Sequence, residues 1–248
     1  MIGSVFRWLF LIFCVTSCSY GQSPKEIIDS FFKKIETDVG YLSDNYTHEE
    51  EEVLTFYKNG VPEKIERKTY VVEKREGDVH YKKLLLIDGQ PLMGSEYRPR
   101  EENISVNKTL FERYNFSFQG VELHNGEECW SFVFNSRPRL IERERKDRVL
   151  NNVSGRLLIS KQSNSIRYFF AKLNKPVDYG LPSFTGARIY SAEVGIYFFD
   201  FEGHSAIVNI RVKFHFSVKA LFIKVTERQG NMEITYKNYR KMNKRREQ

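Results

Sequence analysis

Val208-Asn209-Ile210-Arg211-Val212-Lys213-Phe214-His215-Phe216 alternates without a break, with apolar side chains at the even positions and polar ones at the odd. Successive side chains of a β-strand point to opposite faces, so this stretch predicts a strand with one dry face and one wet face. The same period of two recurs in Trp130, Phe132 and Phe134, and in Ile166, Tyr168 and Phe170. Turn pairs separate such runs: Asn59-Gly60, Gly77-Asp78, Asp88-Gly89, Asn125-Gly126 and Gly203-His204. These are the signals of antiparallel hairpins. Strands are expected near 44–58, 62–76, 79–88, 113–123, 128–135, 154–160, 164–174, 190–202, 205–217, 220–228 and 231–240. A meander of about 11 strands must curl or close. One run departs from the alternation. Gly195-Ile196-Tyr197-Phe198-Phe199-Asp200-Phe201 is apolar on both sides, which suits a strand covered on both faces or one whose second face meets a partner.

A helix precedes the β region. Ser23-Pro24-Lys25-Glu26 supplies an N-cap serine, a proline at the first helical position and the glutamate of a capping box. Ile27, Ile28, Phe31, Phe32 and Ile35 then recur at helical spacing, opposite Lys25, Asp29, Lys33, Lys34 and Glu36. The helix is expected to reach about Asp38 and to stop at Gly40. Two connections read as irregular: the densely charged stretch 137–148, an exposed loop or a short surface helix, and the glycine- and proline-containing stretch 176–188.

The first residues carry an address. Arg7 precedes the apolar run Trp8 to Val15, which is too short to cross a hydrocarbon core of about 30 Å. The run closes on Val15-Thr16-Ser17-Cys18, which resembles the lipobox of bacterial lipoproteins, in which the cysteine becomes the lipidated first residue. The alternative is ordinary signal-peptidase cleavage at the small residues Ser19 and Gly21, releasing a chain that begins at Gln22. Either reading sends the protein out of the cytoplasm. The expected division is a signal peptide over 1–17, a linker over 18–23, a single β domain over 24–240 and a basic tail over 241–248.

The chain of 248 residues carries a formal charge of +7, and much of it sits in Arg240-Lys241-Met242-Asn243-Lys244-Arg245-Arg246 near the C-terminus. Clustered positive charge suits anionic lipid headgroups, lipopolysaccharide phosphates or nucleic acid, and export argues against the last. Of the three cysteines, Cys14 leaves with the signal and Cys18 is lipidated or lost. Cys129 therefore remains as a lone thiol with no disulfide partner. Five Asn-X-Ser/Thr sequons, at Asn45, Asn103, Asn107, Asn115 and Asn152, are read as incidental in a bacterial chain.

Signals of catalysis are sparse. His48, His80, His124, His204 and His215 stand singly, without the spacing of a helical zinc pair. Neither a nucleophile elbow, a phosphate-binding glycine loop nor a dinucleotide fingerprint occurs. Glu49-Glu50-Glu51-Glu52 could attract a hard cation, but neighbouring strand residues face opposite ways, and a solvated edge is the expectation. His204, at a turn beside Glu202, and Cys129, before Trp130, read as structural. These features point to a non-catalytic protein with no cofactor and no bound metal.

The order of signal, capped amphipathic helix and antiparallel meander resembles the periplasmic lipoprotein-carrier superfamily of the LolA and LolB type, in particular its outer-membrane lipoprotein-sorting branch. The stretches that carry the resemblance are Leu86-Ile87-Asp88-Gly89-Gln90-Pro91-Leu92, Phe116 to Trp130, Gly155-Arg156-Leu157-Leu158-Ile159-Ser160, and Thr235-Tyr236-Lys237-Asn238-Tyr239-Arg240. The resemblance implies a mainly β fold: a strongly curved, incomplete β-barrel with the amphipathic helix packed on its concave face. It also implies that lipid, or the acyl chains of lipoproteins, is held in an apolar half-barrel cavity. The expected lining is Phe31 and Phe32 of the helix with Trp130, Phe132, Phe134, Phe214 and Phe216 of the sheet, and Cys18 is the lipidation site. The membrane surface is a second expected partner, reached through that lipid and the basic tail. The alternative is a structural or scaffolding envelope lipoprotein with a filled core and no ligand.

Overall fold

The computed structural model describes residues 22–74, 80–91, 97–99, 111–138, 140–142, 144–180, 185–220 and 223–242. The signal segment, Cys18, the cleavage site before Gln22, the turn Gly77-Asp78, Asn103, Asn107 and the end of the basic tail lie outside the described residues.

Helix α1 (Pro24–Asn45) begins as its capping box requires: the Ser23 hydroxyl accepts from the Glu26 N–H, and the Glu26 carboxylate accepts from the Ser23 N–H at 2.8 Å. It continues through Gly40 to Asn45, where the Tyr46 N–H donates to the Leu42 carbonyl. The expected stop fails because the residues beyond Gly40 have tertiary partners. Tyr41 stacks on the His204 ring at 4.0 Å and approaches Tyr46.

Among the described residues thirteen strands follow: β1 (Tyr46–Lys58), β2 (Val61–Lys74), β3 (His80–Ile87), β4 (Gln90–Pro91), β5 (Tyr97–Pro99), β6 (Tyr114–His124), β7 (Glu127–Ser136), β8 (Val153–Ser160), β9 (Ile166–Leu173), β10 (Val177–Gly180), β11 (Thr185–Phe201), β12 (His204–Ala220) and β13 (Ile223–Lys241). Eleven of them form one antiparallel path, β4-β3-β2-β1-β13-β12-β11-β9-β8-β7-β6, with β10 beside β11 and β5 beside β3. The sheet is not closed. The two last expected strands are one: β13 passes straight through Gly230. Part of the expected 176–188 loop is strand, since Val177 pairs with Ile189 and Gly180 with Gly186. The charged stretch carries a short helix, α2 (Arg145–Leu150). It is anchored by buried Asp147, which caps the Glu144 N–H and meets Arg113 at 2.6 Å.

Of the expected hairpin turns that lie among the described residues, Asn59-Gly60, Asp88-Gly89 and Asn125-Gly126 hold and one is shifted. Asn59 and Gly60 both take positive φ, at 54° and 78°, as a tight two-residue hairpin turn requires. The β11–β12 turn uses Glu202 and Gly203 where Gly203 and His204 were expected, with Glu202 at φ 52°. Its carboxylate accepts from the Tyr46 hydroxyl, which ties the turn to the end of α1.

Strand register identifies the two faces. Phe116, Phe134, Gly155, Ala171, Val194, Val212, Met232 and Leu54 stand opposite one another in succession from β6 across to β1. This row lies on the concave face that receives α1. The expected row on β12 holds over Ile210, Val212, Phe214 and Phe216 but not at Val208. There Tyr197 pairs with Asn209 and Phe198 with Ile207, so Val208 is the extra residue of a bulge and is exposed.

The core fills the space between α1 and β6–β9. Ile27, Ile28, Phe31 and Ile35 pack with Phe111, Phe132, Leu157, Ile159 and Ile166, bordered by Phe32, Phe116, Trp130, Phe169 and Phe198. The doubly apolar run of β11 is thus accounted for within the chain. Phe198 joins this core, while Phe199 and Phe201 meet Tyr239, and Phe201 meets Tyr46 edge-on at 5.1 Å.

Candidate functional site

The seven aromatic residues expected to line a cavity share the concave face or cover it, but they fall into two environments. Phe31 and Phe132 are 1% exposed and Phe134 is 2% exposed, within the packed core, while Phe32 and Trp130 are partly buried at its border. Phe32 stacks on Phe111 at 4.4 Å, a core residue that precedes the expected strand and carries no sequence pattern of its own. Phe214 and Phe216 stand apart from this cluster, half-buried on β12. Around them the same face presents Leu54, Phe56, Val194, Val212 and Met232, all half-buried and none in the cluster that packs on α1. Val212 belongs to the row that the sequence predicted, but sequence reasoning missed Leu54, Phe56, Val194 and Met232, because only the paired register shows which residues of β1, β11 and β13 adjoin Phe214.

Two glycines shape the concave surface. A Cβ on Gly155 would lie 2.5 Å from the Phe134 ring, and one on Gly230 would lie 2.5 Å from the Phe214 ring. Each glycine pairs directly with that phenylalanine across the strands, so each ring lies over bare backbone. Aromatic side chains laid over glycine in this way satisfy a backbone that would otherwise be uncovered.

Next to the apolar floor on β1, the same face becomes charged. Glu50 is buried, and its carboxylate meets Lys82 at 2.5 Å and His48 at 3.2 Å. The expectation of a solvated acidic edge is corrected here. β1 is an inner strand between β2 and β13, not an edge, and Glu50 shares the parity of Leu54 and so takes the concave face. Alternation does divide the run, since Glu51 faces Lys237 at 2.6 Å and Glu49 faces Arg240 at 3.7 Å. On β2 the apolar face ends in Glu66, flanked by Lys64 at 2.6 Å and Lys68 at 3.4 Å. Their hydrogen bonds, Lys64 first, hold the Glu66 carboxyl below its usual range despite some desolvation.

A second concavity lies at the ends of the hairpins. It is an open cleft of about 850 Å³, lined by Asn125, Glu127, Glu128, Lys161, Arg167 and Asp200 among others. Its charges are already paired: Arg167 reaches Glu127 at 2.6 Å and Asp200 at 3.8 Å, and Lys161 reaches Glu128 at 2.7 Å. The bond from Arg167 is the main reason that the Glu127 carboxyl is lowered, against the effect of burial.

Two side chains that could act as a nucleophile or a base, Cys129 and His204, are tied into structure. The Cys129 thiol is fully buried, and burial with the nearby Glu127 charge pushes it up to about 11, so it stays protonated at neutral pH. His204 Nδ1 lies 2.9 Å from Asp38, whose other oxygen accepts from the Ser205 N–H. Among the described residues, no group of three or more His, Cys, Asp or Glu is placed to hold a metal ion.

No family model matches the chain, and no curated protein matches it. Solved structures similar to it include a DUF1329 family protein from Desulfovibrio piger, with 10% identity and a TM-score of 0.37 over 88% of this chain and 94% of that one. Another is a putative outer membrane lipoprotein-sorting protein domain from Vibrio parahaemolyticus, with 11% identity and a TM-score of 0.38 over 87% and 95%. A LolA superfamily protein from Nitrosomonas europaea shows 9% identity and a TM-score of 0.33 over 87% and 93%.

Proposed function

We propose that the protein is a non-catalytic binder of lipid, or of the acyl chains of lipoproteins, in the bacterial envelope, serving the sorting of outer-membrane lipoproteins. In this reading it is exported, anchored through Cys18, and brought to the membrane surface also by its basic tail. The observation that carries the proposal is the continuation of one apolar row beyond the helix-packed core. Val194, Val212, Met232 and Leu54 extend the row that begins at Phe116 and Phe134, and Phe56, Phe214 and Phe216 flank them. Four strands at about 4.8 Å spacing give a floor of about 14 Å across, and the four-residue span from Val212 to Phe216 makes it about 14 Å along the strands. An acyl chain laying about ten methylenes there gains on the order of 8 kcal/mol before ordering costs, a gross affinity in the micromolar range.

Within this reading Phe214 and Phe216 contact the chain directly, Trp130 and Phe32 border it, and Phe31, Phe132 and Phe134 support the wall. The buried packing under α1 favours a second reading, a structural envelope lipoprotein whose core is complete without a ligand. Native mass spectrometry of protein extracted from its own envelope separates the two. Co-purifying lipid that is lost in Met232→Glu supports the binder. A bare protein mass in both, with the variant folded, supports the structural reading.

A further inference from the structure

We infer that β6, the last strand of the sheet among the described residues, and the adjoining start of α1 form a surface that lies on a lipid bilayer. Phe118, Val121 and Leu123 are 40%, 48% and 73% exposed, the densest group of exposed large apolar side chains on any described strand. A bulge gathers them. Phe118 pairs with Phe132 and Gly120 with Ser131, so Gln119 is an extra residue and the three side chains share one face. Val121 stands opposite Trp130, which packs against the cluster containing Ile27 and Ile28 of the first turns of α1. The patch and the entry of the chain into α1 are therefore at one corner of the molecule.

Two observations point to a bilayer as the occupant. The chain reaches α1 at Ser23, five residues after Cys18, a span of at most about 18 Å. This step rests on the anchored reading given above: an acyl group on Cys18 holds this corner within that distance of the membrane. The second is charge. Each carboxylate of the β6–β7 hairpin has a cationic partner: Glu122 with Arg156, Glu127 with Arg167 and Glu128 with Lys161. Paired charges lower the cost of bringing this end to a low-dielectric interface, and exposed apolar side chains beside them supply the gain. The apolar groups at the far end of the strands, Val61 and Ile65, lie beyond the reach of the tether and serve as the control.

The test uses the full chain carrying Cys14→Ala and Cys18→Ala, in which buried Cys129 is the remaining thiol. An environment-sensitive dye is placed at Leu123→Cys or at Val61→Cys, and vesicles of phosphatidylethanolamine and phosphatidylglycerol are added. The dye at position 123 should shift to shorter wavelength and be quenched by a lipid carrying a nitroxide in its acyl chain, while the dye at position 61 should do neither. Leu123→Asp in the same background should lower vesicle partitioning about tenfold, the loss of one large apolar side chain from the interface. Equal responses at the two positions, or none at 123, overturn the inference. So does a shift at 123 that needs no vesicles and grows with protein concentration, which would assign the edge to strand pairing between copies. The acyl mass of the wild-type N-terminal peptide tests the anchor separately, and its absence removes the tether without deciding the dye result.

Discussion

Replacing Asp38 by alanine removes the carboxylate that joins α1 to the β11–β12 turn, and the geometry sets the size of the effect. Asp38 is 1% exposed and takes hydrogen bonds from the Ser205 N–H and His204 Nδ1, both at 2.9 Å, and from Lys34 Nζ at 3.2 Å. Lys34 and His204 can turn to water, whereas the buried Ser205 N–H loses its acceptor. Loss of charged hydrogen bonds, together with one stranded donor, amounts to about 3–4 kcal/mol. For a chain of this size that lowers Tm by about 10 °C. Asp38→Asn retains an acceptor for Ser205 and should lose about half as much. Urea midpoints of the three proteins measure the series. A loss below about 1 kcal/mol for Asp38→Ala would show that the apolar stripe alone positions the helix. The pH dependence supplies a second check. Burial alone would raise the Asp38 carboxyl, but Ser205, His204 and Lys34 outweigh it and hold the group below its usual value. A depressed folded value means the contribution is present above the unfolded value, near pH 4, and is lost as pH falls through the lower folded one. The advantage of the natural residue over Asp38→Asn should therefore persist at neutral pH and disappear only in acid.

Further outcomes can be measured in the same way. Gly155→Ala should lower stability by about 3 kcal/mol or more in denaturant unfolding, because the new Cβ meets the Phe170 carbonyl oxygen and the buried Phe134 ring. Gly230→Ala should cost less, about 1–3 kcal/mol, since the half-buried Phe214 ring can move aside and the Thr55 carbonyl oxygen lies 2.8 Å from the new Cβ, against 1.9 Å for the Phe170 oxygen at Gly155; equal losses would contradict this account. Cys129 should resist a thiol reagent at pH 8 in the folded protein and react on unfolding; rapid labelling of the native state would place the thiol at the surface. Phe132→Glu should abolish folding, whereas Phe216→Glu should cost about 1–2 kcal/mol, because its carboxylate would stand opposite Arg228; similar midpoints would refute the division of the concave face into covered and open parts.

The sheet was legible because side-chain parity and turn residues are local. Val212, Phe214 and Phe216 announced a face, and Asn59-Gly60 and Asn125-Gly126 announced where the chain reverses. The misreadings share a cause: a residue whose local preference was overruled by a neighbour distant in sequence. Gly230 looked like a strand break, yet it sits inside β13 because the Phe214 ring covers it. Gly40 looked like a helix stop, yet α1 continues because Tyr41 stacks on His204. Glu50 looked solvated, yet Lys82 and His48 close over it. Phe111, in the core against Phe32, had no periodic partners to reveal it.

The candidate site shows a different kind of limit. Trp130-Ser131-Phe132-Val133-Phe134 and Val212-Lys213-Phe214-His215-Phe216 carry the same alternation, and register places their aromatic residues on the same face. Parity decides which face a side chain takes, but exposure depends on what lies above that face. α1 is 22 residues long, about 33 Å, and its apolar stripe is concentrated in Ile27, Ile28, Phe31 and Ile35 near its start. That stripe can bury only the strands beneath its first half, β6 to β9. Its second half is held to the turn of β11 and β12 by the hydrogen bonds of Asp38 and the stacking of Tyr41 on His204, both at the strand ends. The middle of β11, β12, β13 and β1 is left without that cover, which is why aromatic residues of one pattern became wall in one place and floor in the other.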